Sequence, residues 1–351
     1  MEHLVRNCFK GEGYVFATGA AEIARASGNE KIARLASNEN PFPPPAGAIN
    51  AGVDALHSVN RYPDERVEGL IAALQARHGA FHFVTGVGMD GIIETVIRVL
   101  VDPGDKVAVS IPTFSFYGLA ARAQGGEVIN IQRDEDFAVD PARFVREARG
   151  AKVAFICSPN NPTGNAITLE CVDEIAAGLD GILFLDNAYV EFADCPYQEL
   201  LTHHENLIIG RTFSKIYALA GLRVGYAFVP GWFVPYYLRA QTPFALSTVA
   251  AAAAEGALAD GAYPRTYREH VLRWRARFSR EIPLRTYPSD ANFVLVNVAP
   301  HTGEEAVETL AKHGVVVRSC TSFPGLGDHY IRVSIGEDWE NERFLQEIGK
   351  L

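Results

Sequence analysis

Apolar residues in the first two thirds of the chain fall into short β-branched runs separated by longer stretches with helical spacing. From about residue 46 to 250 the two alternate, which predicts repeated strand-helix units and a mainly parallel sheet. Strands are expected at 82–85, 106–110, 153–157, 182–186 and 207–210, each ending at a polar or glycine-rich loop. In open sheets of this kind ligands gather beyond the carboxyl ends of the strands, so chemistry is to be sought in those loops. After about residue 250 the pattern changes to a long charged helix followed by strand, helix, strand and helix, with strands at 292–297, 315–318 and 330–334. The expected fold class is therefore α/β, with a large domain at 46–250 and a smaller α+β domain formed by 251–351 together with 1–45. The proline-rich segment 38–45 forms no regular element and should lie extended across a surface.

Composition narrows the function. A chain of 351 residues, 48% hydrophobic, can bury the cores of two domains. Its net charge of -10 argues against nucleic acid or an anionic membrane as partner, so an anionic ligand must be drawn by local arginines. The arginine row from Arg265 to Arg280 accordingly reads as the solvated face of an interdomain helix. The apolar stretch 244–259 is interrupted by Ser247, Thr248 and Glu255, is too short to span a bilayer, and reads as the start of a packed helix. Cys8, Cys157, Cys171, Cys195 and Cys320 are scattered without any C-x-x-C spacing, and no signal-peptide core opens the chain. Reduced thiols, a cytoplasmic location and no metal site are expected.

Four polar segments stand out against this background. The run from Thr212 to Tyr226 places Lys215 beside the Ser214 hydroxyl, with Arg223 further along. A lysine amine can form a covalent bond with an aldehyde, while Ser214 and Arg223 can hold an anion on the same molecule. Ser158 to Gly164 follows a predicted strand and can offer the Asn161 amide to an oxygen, although a plain β-turn would look similar. Asp186 and Tyr189 end another strand; the structural alternative for Asp186 is a helix cap. Gly86-Val87-Gly88-Met89-Asp90-Gly91 lies between a strand and an apolar helix, where the backbone N–H groups of Met89 and Asp90 would face a phosphate. That last segment matches a dinucleotide fingerprint literally. The fingerprint also requires an acid closing the next strand, and residues 109–113 hold none, so a nicotinamide enzyme is disfavoured.

In this order and spacing the four segments resemble the lysine, aspartate, asparagine and phosphate-loop motifs of fold-type I pyridoxal-phosphate aminotransferases, and among these most nearly the histidinol-phosphate aminotransferases. The resemblance runs from about Asn38 to the end of the chain. It implies a large domain built on a mainly parallel seven-stranded sheet between helices, and pyridoxal 5'-phosphate held covalently by Lys215. Asp186 would bind the ring nitrogen, with Asn161 and Tyr189 on the phenolic oxygen and Phe114 stacked on the ring. Met89, Asp90, Ser214 and Arg223 would hold the phosphate, joined by Tyr62 from a neighbouring subunit, which makes a homodimer the expected assembly. Arg332 would hold the substrate carboxylate, with Arg318 and Tyr14 at the substrate phosphate and Asn40 beside them. The implied reaction is transfer of the amino group of L-histidinol phosphate to 2-oxoglutarate. Lys215 would be the base that moves the Cα proton. Two rivals remain open: an aromatic amino-acid aminotransferase, with Phe114, Phe116, Tyr117 and Tyr14 lining a ring pocket, and a threonine-phosphate decarboxylase. The sequence departs from the family pattern at Pro43, Gly91 and Asn187.

Overall fold

The alternating apolar runs become strands β1 (Ala33–Arg34), β2 (His82–Val87), β3 (Lys106–Ile111), β4 (Glu127–Gln132), β5 (Ala151–Cys157), β6 (Ile182–Asp186), β7 (Leu207–Thr212) and β8 (Val224–Val229), then β9 (Phe293–Asn297), β10 (Val315–Val316), β11 (Arg318–Ser319) and β12 (Tyr330–Ser334). They come from a computed structural model that describes residues 1–11, 13–15 and 28–351. Seven of them form one sheet in the order β2-β8-β7-β6-β5-β3-β4. The pairs among β3 to β7 are parallel, and β8 alone runs against its two neighbours. The mainly parallel seven-stranded sheet expected from the sequence is present.

Burial accounts for only part of what the pattern shows. Every residue of β6, β7 and β8 is buried, as in strands covered on both faces, and β6 and the start of β7 read as continuous apolar runs. Phe155 of β5 and Phe184 of β6 sit fully buried with ring centroids 5.2 Å apart. Each such side chain contributes about 1.5–3 kcal/mol through removal of apolar area from water. The half-exposed edge strand β4 and the strand β8 lie outside the strands expected from the pattern. In β8, Gly225 lies so close to the phosphate-loop backbone that a Cβ there would sit 2.6 Å from the Gly88 carbonyl.

The C-terminal third carries the antiparallel sheet β11-β12-β9, and β1 pairs in parallel with β10. The single strand expected at 315–318 is thus two short ones, because Val315–Val316 pairs with the N-terminal arm while Arg318–Ser319 turns to β12. The helix expected from 244 begins at Thr248, because the Ser247 hydroxyl caps it by accepting from the Ala250 N–H at 3.2 Å. Phe244 lies outside the helix in the left-handed region, φ 54. The arginine-rich helix is Ala262–Glu281. Its apolar face buries Tyr267, Val271, Trp274 and Phe278, while Arg275 donates to the Phe192 and Ala291 carbonyls at 3.3 and 3.2 Å. Arg268 pairs with Asp194 and Arg277 with Glu342, each at 2.6 Å, so these arginines make intramolecular contacts while Arg265 and Arg280 are exposed. Among the described residues no helix is long and apolar enough to cross a membrane.

Candidate active site

Parallel register sets the floor of the site. Cys157 at the end of β5 lies opposite Asp186 at the end of β6, and Asp186 lies opposite Gly210 of β7. Beyond these carboxyl ends opens a cavity of about 410 Å³, within the size range of small-molecule sites. The N-terminal arm at Ala36 to Glu39 and the arginines of β11 and β12 form other parts of its wall.

One end of the cavity gathers a helix N-terminus, a hydroxyl and a guanidinium. Met89 and Asp90 open the helix Gly88–Leu100 and line the cavity with Ser214 and Arg223. Arg223 follows a short turn in the left-handed conformation, φ 53, and its Nη2 donates to Asp90 Oδ2 at 2.8 Å. Gly88, at φ +67, packs against that guanidinium: a Cβ there would sit 2.5 Å from Arg223 Nη2. The Ser214 hydroxyl accepts from Thr212 Oγ1 at 3.0 Å. Burial raises the Asp90 carboxyl, opposed by the charges of Arg223 and Lys215.

The middle holds the titrating groups. Lys215 Nζ donates to the Ser37 carbonyl at 3.3 Å and stands 5.9 Å from the centre of the Tyr189 ring. Burial, helped by the charge of Arg332, lowers the Lys215 amine from 10.5 to about 8. Asp186 is buried and is raised by that burial to about 6, against the opposing bonds from the Tyr117 hydroxyl and the Ala188 N–H. Tyr189 accepts from Asn38 Nδ2 at 3.0 Å, and its burial pushes the phenol upward. Phe114 lines the cavity with its ring edge-on to Tyr14, centroids 5.8 Å apart.

The far end carries two buried guanidinium groups. Arg332 donates to Asn161 Oδ1 and to the Ala36 carbonyl, and its Nε is buried without a partner among the described atoms. Arg318 donates to the Val15 carbonyl and to Ser322 Oγ, and burial followed by the Arg332 charge lowers its affinity for its proton.

Twelve of the fourteen residues singled out from sequence line this one cavity; Asn40 and Tyr62 do not. Asn40 Nδ2 reaches the Ile216 carbonyl at 3.4 Å while its Oδ1 accepts from the Phe42 N–H at 3.1 Å. Tyr62 is 82% exposed and stacks on Phe244 with centroids 4.7 Å apart. The ring pocket expected from four aromatics needs correction: Phe114 and Tyr14 line the cavity, but Phe116 and Tyr117 do not. Tyr117 is fully buried behind the wall with its hydroxyl on Asp186. Sequence reasoning also passed over Asn38. Its left-handed backbone, φ 53, is one that asparagine tolerates well. Its backbone and side chain bind Ser334, and its carbonyl accepts from Asn292. The available signal was its place at the head of the Asn38-Glu39-Asn40-Pro41 turn.

The arrangement combines an amine of lowered basicity, a buried acid, a helix N-terminus beside a guanidinium, and a pair of buried guanidinium forks. It fits comparisons with known proteins. Residues 30–348 match the family model for aminotransferases of class I and II. The chain is 61% identical to the histidinol-phosphate aminotransferase of Methanoculleus marisnigri, over the full length of both, and 53% identical to that of Methanocorpusculum labreanum, again over the full length of both. The crystal structure of histidinol-phosphate aminotransferase from Sinorhizobium meliloti in complex with pyridoxal-5'-phosphate superposes with a TM-score of 0.89 at 27% identity, covering 99% of this chain and 97% of that one. The matched span and the full-length identity place this chain in the class I and II aminotransferase family.

Proposed function

We propose that the protein is a pyridoxal-phosphate transaminase that moves the amino group of L-histidinol phosphate to 2-oxoglutarate. The observation that carries this reading is the single cavity in which Lys215 and Asp186 lie between the Asp90 and Arg223 end and the Arg332 and Arg318 end. Relatives of that name at up to 61% identity support the substrate. The residues fit the cofactor. Met89, Asp90, Ser214 and Arg223 would hold its phosphate, Asp186 its ring nitrogen, Tyr189 and Asn161 its phenolic oxygen, and Phe114 its ring face. When bound, the cofactor supplies an aldehyde carbon and an electron-withdrawing ring.

The protein supplies the rest. Lys215, with an amine near 8, carries enough free base at neutral pH to take a proton at Nζ from the donor's α-carbon and return it. Asp186, ionised at neutral pH and shielded from water, favours positive charge on the atom it faces. The Arg332 fork, held by Asn161 and the Ala36 carbonyl, binds a carboxylate of the acceptor, while Arg318 and Tyr14 bind the phosphate of the donor.

The protein works in the cytoplasm as a homodimer in which Tyr62 crosses to the neighbouring phosphate site; the exposure of Tyr62, Ile49, Val53, Leu56 and Val59 supports the dimer. The chain divides into a cofactor domain at 46–250 and a smaller domain of 1–45 with 251–351, supported by the pairing of β1 with β10. The deciding experiment follows the visible absorbance of the cofactor-loaded protein while L-histidinol phosphate and then 2-oxoglutarate are added. Loss and recovery of the band establish both half-reactions. A protein that takes up no cofactor refutes the reading, as does a Lys215→Ala variant with ordinary turnover. Carbon dioxide release on addition of threonine phosphate would move the assignment to a decarboxylase.

A further inference from the structure

We propose that Tyr117 is a positioning residue of this site, whose hydroxyl fixes the Asp186 carboxylate and whose ring backs Phe114, so that one side chain sets both groups that would grip the cofactor ring. The proposal rests on the cofactor reading above. Tyr117 sits in the first turn of the helix Phe116–Gln124 and is fully buried. Its hydroxyl is 2.6 Å from Asp186 Oδ2. Its ring stacks on Phe155, centroids 4.9 Å apart and planes 8° apart, and meets Phe114 edge-on at 5.6 Å and 84°. Phe155 in turn packs against Phe184, on the strand that carries Asp186. The phenol therefore cannot swing away from the carboxylate without unpacking two core rings.

The bonding leaves room for a ligand. Asp186 Oδ1 accepts from the Ala188 N–H at 2.9 Å and Oδ2 from Tyr117. A carboxylate has about four lone-pair sites, so acceptor directions remain for a ring N–H. The charged and titratable groups that act on Asp186 are Tyr117, Asp90 and Lys215, with Cys157 opposite it on β5. Burial and the Asp186 charge hold the Tyr117 phenol well above its usual range, so it remains a donor at every working pH. A buried carboxylate that loses a donor takes up a proton more readily, and a neutral carboxyl no longer attracts a cationic ring nitrogen. A tyrosine present only for packing would be replaceable by phenylalanine at no cost to this chemistry.

The test compares wild type, Tyr117→Phe, Asp186→Asn and the double variant by titrating the apo-protein with pyridoxal phosphate and following fluorescence quenching. Tyr117→Phe should weaken binding about 10- to 150-fold, the range for a hydrogen bond to a charged group. In the Asp186→Asn background the same substitution should change affinity by less than about twofold, because a residue acting through Asp186 has nothing left to act on. Affinity within about twofold of wild type for Tyr117→Phe, or losses that multiply in the double variant, would overturn the proposal. A second readout uses no cofactor. The melting temperature of the apo-protein should fall as Asp186 ionises through about pH 6, and in Tyr117→Phe that fall should extend to higher pH. A wild type that binds no cofactor defeats the proposed function; an apo-protein profile unmoved by Tyr117→Phe defeats this inference by itself. If Tyr117→Phe unfolds and the double variant folds, the unsupported carboxylate is the cause and the proposal stands. If both unfold, the fold needs the Tyr117 hydroxyl independently of Asp186 and the proposal fails.

Discussion

Adding one methyl group at Gly88 should separate cofactor affinity from fold stability. Gly88 has φ +67, and its Cβ would stand 2.5 Å from Arg223 Nη2 and 2.9 Å from Cζ. An L-residue held in that left-handed region costs about 1–2 kcal/mol. The guanidinium must also move, and the atom it would move is the one bonded to Asp90 Oδ2 at 2.8 Å. Both side chains of that pair are more than 40% exposed, so its loss adds only about 0–1 kcal/mol. The total, about 1–3 kcal/mol, corresponds in a chain of this size to a fall of roughly 1–4 °C in melting temperature. Loss of Arg223 as a charge-assisted donor should weaken phosphate anchoring by a further 1.5–3 kcal/mol or so, roughly 10- to 150-fold in cofactor affinity. Calorimetric melting of apo Gly88→Ala measures the first term, and cofactor titration the second. Gly221→Ala is the control for stability, because nothing lies within 4 Å of the added methyl group. A Gly88→Ala protein that melts within about 1 °C of wild type and binds cofactor equally well would refute the packing argument.

Further predictions follow from the charges around Lys215. Its amine, lowered to about 8, should make the rate of aldehyde capture by the apo-protein climb with pH to a plateau above 8; a rate still climbing at pH 10 would show an unperturbed lysine. The unfolded chain binds the Lys215 proton more tightly than the folded one, so this group adds stability as pH rises from about 8 towards 10.5, measurable by urea titration. Arg332→Gln removes a positive charge that helps lower the amine and should move the capture profile to higher pH, whereas Arg332→Lys keeps the charge and should leave it in place. Arg332→Lys should nevertheless lose about 10- to 150-fold in kcat/KM for 2-oxoglutarate, because a lysine cannot reproduce the two-pronged carboxylate contact. Asn38→Ala removes buried bonds to Tyr189 and Ser334, and should destabilise the fold by about 1–3 kcal/mol in chemical denaturation.

The residues legible from sequence and those hidden in it differ in what they act upon. Lys215, Asp186, Asn161 and Arg223 stand at strand ends or in loops, where an amine, acid, amide or guanidinium is conspicuous against apolar neighbours. Their type and order point to the proposed chemistry, and the sheet brings them to one edge because β5, β6 and β7 run parallel. Strand β4 was obscured by its exposed Asn130 and Gln132, and β8 by Gly225 and Tyr226, a pairing that belongs equally to a loop. Tyr117 reads locally as one more apolar position in the first turn of a helix, and its meaning arises only when β6 places Asp186 within 2.6 Å of its hydroxyl. Asn38 likewise lies in an irregular segment, and its partners Tyr189, Ser334 and Asn292 come from distant parts of the chain. A residue that meets a small ligand is constrained by that ligand's chemistry, which a local motif can record. A residue that holds another side chain is constrained by a contact made only after folding. The support for the Asp186 carboxylate and the Tyr189 phenol therefore had to be read from the packing, and it is there that substitutions remote from the ligand should still change how tightly the cofactor is held.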